Sequence, residues 1–430
     1  MRSNSRNFGK CLLVCGTVIG IAAVPAIAGP VKPAKTIQDT LLYSFAGGAS
    51  DGAYPVSGLV AGSAGNFFGT TEYGGTNDFG TVFELSSNGT ETVLYNFAGG
   101  ASDGALPAAS LIADGSGNLY GTTVNGGSGD CSDDGCGTVF EVTPGVGETV
   151  LYFFQGGTDG SGPQGNLFMD DAGNLYGTTY AGGSADCEGG CGTVFKLTPN
   201  GGGSWTESVI YSFAGGSDGA GPEAGLIQDS SGNFYSTTAS GGPSVRCPGG
   251  CGTVFELSPG GNGSWSASVI YSFKPPHHGD DGAYPGANLM MDGNGNLFGT
   301  TPQGGSRVCG GGCGAIFELS PARNGSWTES LLFKFAAGKH GAFPSGGLIA
   351  DKSSGLIYGV TAGAGADSCG VVFQLNNTAG VTKTLYSLAG APHDGCQPYG
   401  TLVEDQNGNL YGTTVGGGSS NMGAIFDLKK

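Results

Sequence analysis

All four histidines of the chain, His277, His278, His340 and His393, fall in three consecutive connections that also carry Asp280, Asp281 and Asp394. Imidazole and carboxylate together bind divalent transition metals or exchange protons near neutral pH. His277, His278, Asp280, His340, His393 and Asp394 are therefore candidate metal ligands. Their spacing matches no known ligand motif, so solvated loop residues are the competing reading. The sequence calls for no cofactor, and a divalent metal is the one that this chemistry admits. The three connections belong to a series of seven, ASDGAYP, ASDGALP, GTDGSGP, GSDGAGP, GDDGAYP, GKHGAFP and PHDGCQP, which puts Asp51, Asp103, Asp159, Asp218, Asp281, His340 and Asp394 at equivalent positions. Gathered round one mouth, they would set up a negative field and form a ligand-binding face. Against that, Asp-Gly is a favoured turn pair whose carboxylate bonds its own backbone, and the proline holds the next residues extended. No Ser-His-Asp spacing, HExxH, phosphate-cradling loop or nucleophile elbow occurs, so catalytic residues are not assigned.

Cysteines repeat with the same period as Cys131/Cys136, Cys187/Cys191, Cys247/Cys251 and Cys309/Cys313. Each loop offers two ligands where zinc needs four, and an exported chain favours disulfides. A further motif runs from Asp114 to Asn118 and recurs as Asp170 to Asn174, Asp229 to Asn233, Asp292 to Asn296 and Asp405 to Asn409. It looks like an oxygen-rich calcium loop but lacks the bidentate Glu of an EF-hand, and an Asx-stabilised tight turn accounts for it. Trp205, Trp265 and Trp327 sit in GSWTES-like turns; they could stack on sugars, although covering the edges of neighbouring elements is the simpler role.

The elements that carry these residues are short strands. Glycine (89 residues) and proline (20 residues) are abundant, only 12% of residues are charged, and no segment shows helical apolar spacing over three turns. The glycines are periodic, punctuating runs of Val, Leu, Ile, Phe and Tyr. Alignment on Tyr43, Tyr95, Tyr152, Tyr211, Tyr271, Phe333 and Tyr386 gives seven units with a period of about 57 residues, each holding four apolar runs. Runs apolar on both faces require cover on both sides, as in a propeller blade between two neighbours. The expected fold is all-β, a seven-bladed β-propeller of four-stranded antiparallel blades. A fourth-type strand at 41–45 opens the chain and a third-type strand at 423–428 closes it, so pairing the two completes the last blade and removes the sheet edges.

Residues 1–28 carry Arg2, Arg6 and Lys10, an apolar run and a small-x-small site at Ala26-Ile27-Ala28, as a secretory signal peptide does. The expected organisation is this leader cleaved near Ala28, a short linker at 29–40 and one propeller at 41–430, secreted or periplasmic. No later run is long enough for a membrane span. Cleavage removes three basic residues and takes the formal charge from −18 to −21. Such acidity excludes nucleic acid as a partner and suits neutral or cationic ligands.

The units, G-L-x-x-D-x-x-G-N-L-Y-G-T-T, then G-G, G-T-V-F-x-L, T-V-L-Y-S-F and D-G-x-x-P, resemble the tandem GloVer repeat of exported bacterial proteins over Leu41 to Leu428. The resemblance implies a repeat protein, often with a C-terminal anchor and with no assigned activity. This sequence ends at Asp427-Leu428-Lys429-Lys430 without such an anchor and is expected to be free. Cys369 has the second-cysteine position of its unit without a neighbour, and Cys396 lies in the next connection on the same face, so a Cys369 to Cys396 bridge is expected. The functional expectation is a monomeric, non-enzymatic binding or scaffolding module for an extracellular glycan or protein. The alternative is an extracellular polysaccharide hydrolase or lyase using the His/Asp loop face.

Overall fold

The computed structural model describes residues 38–430 except 63–64, 132–133, 184–185, 244–246, 275–280, 352–353 and 377–380. Each repeat is built on four antiparallel strands, as in the first blade, where Val60–Ala61, Phe67–Thr71, Thr81–Leu85 and Glu91–Asn96 pair in chain order. Seven such blades make a propeller. Its last sheet takes Val403–Glu404, Leu410–Thr414 and Ala424–Lys429 from the end of the chain and Gln38–Ser44 from the beginning. The closing pair starts at Gln38 opposite Lys429, three residues before the expected strand start, because pairing continues on both sides of a bulge between Leu41 and Tyr43 at which the register shifts.

The Gly-Thr-Thr of the second strand explains how blades join. A β-carbon on Gly121 would stand 2.6 Å from the Phe140 ring, so the glycine is the seat of the third-strand phenylalanine of its own blade. That ring in turn meets, edge to face, the phenylalanine that ends the outer strand of the preceding blade. Phe97–Phe140, Phe154–Phe195 and Phe213–Phe255 each lie 5.0 Å apart. All six rings are essentially buried, and such contacts add about 0.5–1.5 kcal/mol each to the burial itself. The first threonine reaches the next blade: Thr70 donates to Ala109 O (3.2 Å), Thr178 to Ala224 O (3.0 Å), and Thr413 of the last blade to Ser57 O of the first (2.6 Å). The second threonine stays within the blade, as Thr71 and Thr81 hydroxyls pair at 2.8 Å.

The expected disulfides are present. Cys131–Cys136, Cys187–Cys191, Cys247–Cys251 and Cys309–Cys313 close loops of 4 or 5 residues, and Cys369–Cys396 joins two connections 27 residues apart. The Asp-to-Asn motifs are turns: Asp114 Oδ1 accepts from the N–H groups of Ser116 and Asn118, and Oδ2 from Asn118 Nδ2 and Tyr120 Oη. The tryptophans are half-buried between blades, with Trp265 stacked on Phe234 (5.4 Å) and Trp327 edge-on to Tyr235 (5.8 Å).

Removing Gln38–Ser44 uncovers the edge of Ala424–Lys429, so a chain lacking them is expected to melt lower or associate; calorimetry and light scattering check this, and wild-type behaviour in both would refute the ring closure. Replacing Cys369 and Cys396 together by alanine is expected to cost about 3 kcal/mol in urea unfolding, more than replacing Cys247 and Cys251, because the longer loop constrains the unfolded chain more.

Candidate functional site

The seven equivalent connection residues lie against the outer strands, in the seams between blades. Asp51, Asp103, Asp281 and Asp394 are buried, while Asp159 and Asp218 are half-buried. Asp103 Oδ2 accepts from Ala98 N–H (2.6 Å) and Tyr95 Oη (2.9 Å), and Oδ1 from Gly104 N–H (2.6 Å). Tyrosine donates in the same way to Asp159, Asp218, Asp281 and Asp394. A second carboxyl, four residues before the aromatic of the next outer strand, faces most of these pairs. Burial, then the charge of Asp51, pushes Glu91 up to about 7; burial and Asp103 do the same for Glu148 (about 7), and burial and Asp159 for Glu207 (about 8). Burial raises Glu329 to about 7 and Asp39 to about 6, with Asp281 and Asp394 as their respective carboxylate neighbours.

One seam changes all three members at once, to Phe333, His340 and Thr382. There His340 packs beside the Phe333 ring (6.2 Å), and its Nδ1 and the Thr382 hydroxyl are buried without a hydrogen-bond partner among the described residues. His393 is exposed. His277, His278 and Asp280 lie outside the described residues. Among the described residues no group of three metal-ligating side chains converges.

Convergence occurs instead on the propeller axis. A cavity of about 510 Å³ is lined by one or more of the three residues that follow the proline in every unit, and by residues that follow the Thr-Thr pair in several. Neighbouring triplets interlock: Gly58 N–H donates to Ser110 Oγ (2.9 Å), Ser110 N–H to Asn166 Oδ1 (2.9 Å), Gly225 N–H to Asn288 Oδ1 (2.7 Å) and Gly347 N–H to Thr401 Oγ1 (3.0 Å). Glycine is required where blades touch, since a β-carbon on Gly58 would be 2.5 Å from Thr401 O. Gln164, Tyr284, Ser345 and Tyr399 add amide, phenol and hydroxyl groups to the wall, and none of the lining residues is basic.

Two carboxylates, Glu72 and Glu223, complete the wall. Burial raises both above the ordinary carboxylate range, and neither has a hydrogen-bond or ion-pair partner among the described residues. They belong to blades three apart in a ring of seven and so stand on opposite sides of the axis. None of Asp51, Asp103, Asp159, Asp218, Asp281, His340 and Asp394 lines this cavity.

A sequence model of the Gloeobacter/Verrucomicrobia repeat matches residues 31–243 and 184–426. The chain belongs to the Gloeobacter/Verrucomicrobia repeat family. No curated protein sequence matches it. Among solved structures, this repeat propeller is similar to a puromycin hydrolase mutant complexed with PGG, with a TM-score of 0.53 and 13% identity over 84% of this chain and 50% of that one. It is also similar to the extracellular domain of a protein assigned as a one component system from B. thetaiotaomicron, with a TM-score of 0.50 and 10% identity over 91% and 40% of the two chains. A Bacteroides uniformis protein assigned as a 6-phosphogluconolactonase aligns with a TM-score of 0.48 and 15% identity over 79% and 84%. At such identities the likeness is one of fold.

In this Gloeobacter/Verrucomicrobia repeat chain the cavity residues escaped the sequence reading because they are the positions that do not repeat. The residue after the proline runs Val56, Ala108, Gln164, Glu223, Gly286, Ser345, Tyr399, and that after the Thr pair includes Glu72, Val124, Tyr180 and Ala239. Variation inside an otherwise constant motif was the available signal.

The seam carboxyls give the repeat propeller a defined pH response. Glu91, Glu148, Glu207, Glu329 and Asp39 bind protons more tightly folded than unfolded, so their contribution is lost as pH rises from about 4.5 through 6 to 8. Asp114, Asp170, Asp229 and Asp405 oppose this. Burial disfavours their charge, but hydrogen bonds from the partner Asn and neighbouring groups outweigh it and lower them, so their contribution is lost only as pH falls below about 4. The protein is expected to melt roughly 5 °C higher at pH 5 than at pH 9 by scanning calorimetry, and Glu207→Gln should shrink that difference.

Proposed function

We propose that this propeller is an exported, non-enzymatic binding module that takes the end of a neutral extracellular glycan into the axial cavity. The observation that carries the reading is the wall itself. All seven blades supply it, its groups are amides, hydroxyls, two tyrosines and two carboxylates, and it holds no cation to attract an anionic ligand. Sites that recognise polyols combine aromatic faces with a few convergent polar groups in this way. Two unpartnered carboxylates give additional acceptors for sugar hydroxyls, and hydrogen bonds to charged groups are worth about 1.5–3 kcal/mol.

Export rests on the leader at residues 1–28, with cleavage near Ala28, a linker to about residue 40 and the propeller beyond it, acting as a monomer. Five disulfides suit an oxidising compartment, extracellular or periplasmic. No helix among the described residues is long and apolar enough to cross a membrane. One observation favours the enzymatic alternative: a pair of carboxyls raised by burial across a cavity is the set that glycoside hydrolysis uses.

Both readings meet in one experiment on the purified chain. In a glycan array followed by titration calorimetry, a neutral oligosaccharide is expected to be retained, with Glu223→Gln weakening it about tenfold, which corresponds to ~1.4 kcal/mol. Chromatography of the ligand after prolonged incubation should show it unchanged; shortened products would establish the hydrolase or lyase, and a chain that neither retains nor shortens any glycan would refute both.

A further inference from the structure

The disulfide loops do not run all the way round the ring. In blades two to six the residue before the glycine that opens the third strand is Cys136, Cys191, Cys251, Cys313 or Cys369, whereas the first blade has Phe79 and the closing blade Met422. The physical consequence appears at the glycine that follows each outer strand. A β-carbon on Gly156 would meet Cys131 Sγ at 2.6 Å, and one on Gly215 would meet Cys187 Sγ at 2.9 Å, because the bridge lies directly over the backbone there. At the equivalent Gly47 the neighbours are Met422 and Ala53 at 3.6 Å, which is ordinary contact. With no bridge to fill it, the space over the seam between the closing and first blades is a groove of about 700 Å³.

Its lining side chains are Tyr54, Tyr73, Thr76, Asn77, Asp78 and Met422. Tyr73 is 37% exposed and stands edge-on to Tyr54, with ring centroids 5.9 Å apart at 89°, so one ring braces the other. The backbone under them is firm. Gly52–Ala53 pairs with Tyr73–Gly74 as a two-strand ribbon. Tyr54 sits at φ 56°, a left-handed conformation that costs a tyrosine free energy and persists only where its surroundings impose it. Here the Tyr54 N–H donates to Met422 O (2.8 Å), and its carbonyl accepts from Glu72 N–H (3.1 Å). The groove and the axial cavity are neighbours in the chain, since Glu72 lines the cavity and the adjacent Tyr73 lines the groove.

We propose that this groove is a second saccharide subsite, which holds an inner ring of the glycan chain whose end occupies the axial cavity. The proposal rests on the functional reading above. Tyr73 presents an aromatic face to the apolar C–H face of a sugar, while Thr76, Asn77 and Asp78 supply hydroxyl, amide and carboxylate partners for its equatorial hydroxyls. No lining side chain is basic, so phosphorylated or sulfated chains are not the class held. The ligand that engages both places is an unbranched neutral chain of several sugars, running from the axis outward across the seam.

Titration calorimetry with disaccharide-to-hexasaccharide ladders of β-1,4-glucan, xylan and chitin distinguishes this proposal from the reading beneath it. Tyr73→Ala is expected to weaken the hexasaccharide at least tenfold and the disaccharide less than twofold, Tyr73→Phe to retain wild-type affinity, and Asn77→Ala to reproduce the length-dependent loss. Glu223→Gln should weaken short and long chains alike. Both groove side chains are exposed, and melting temperatures of the variants verify the fold. If Tyr73→Ala and Asn77→Ala bind every length as wild type does while Glu223→Gln is impaired, the groove is not a subsite and the axial reading stands. If Glu223→Gln is without effect while Tyr73→Ala is impaired at all lengths, the continuous path is overturned. Absence of binding to any ladder overturns it too.

Discussion

A phenylalanine from one blade set edge-on against a phenylalanine of the next, over a glycine that leaves room for the ring, is the contact on which the architecture depends. Phe97 with Phe140, Phe154 with Phe195 and Phe213 with Phe255 repeat it at nearly constant distance. Because one ring of each pair belongs to a third strand and the other follows directly on an outer strand, sheet formation and blade docking use neighbouring residues. A blade alone would expose these rings, so the packing is satisfied only in a closed ring. The strand from the beginning of the chain closes it, and the Thr413 hydroxyl on Ser57 O holds the inner end of that joint.

Outside that apolar layer the seams are acidic. Tyrosine hydroxyls and backbone N–H groups hold one carboxylate of each pair, and the second carboxyl, desolvated beside it, keeps its proton more readily. Burial and the neighbouring carboxylate thus raise these seam acids, and proton binding favours the folded form. The seam of Phe333, His340 and Thr382 shows the same logic by exception, since removal of the tyrosine hydroxyl goes with removal of both acids.

The axial wall is the part that the repeat does not dictate. The triplets after each proline differ from unit to unit except where a glycine meets the next blade, and there the chain has placed Gln164, Asn166, Glu223, Asn288 and Tyr399. At the closing seam, where Met422 stands at the cysteine position, Tyr73 is exposed and lines a groove. The Phe-over-Gly contacts and the cavity wall are thus carried by different residues of one motif.

The amino-acid sequence by itself determined the number of blades, their four-strand composition, the joining of the two chain ends, the turn role of the Asp-to-Asn motifs and all five disulfides. The blades follow from period and alternation repeated seven times, and the turns and disulfides from motifs that recur at fixed places in only some of the units. It also singled out Asp51 and its equivalents, and it raised the choice between turn residue and field-forming ring without deciding it. Only the tertiary structure settled that the side chains of Asp103 and Asp394 are turned into the seams, because their tyrosine partners come from the preceding blade, some eight residues back along the chain. Only the tertiary structure brought Glu72 and Glu223 into one cavity. They lie 151 positions apart in units that look equivalent, and although each stands at a variable position of the motif, nothing in the sequence pairs the two. Their juxtaposition comes from the circular arrangement of blades, a property of the closed ring and not of any single repeat.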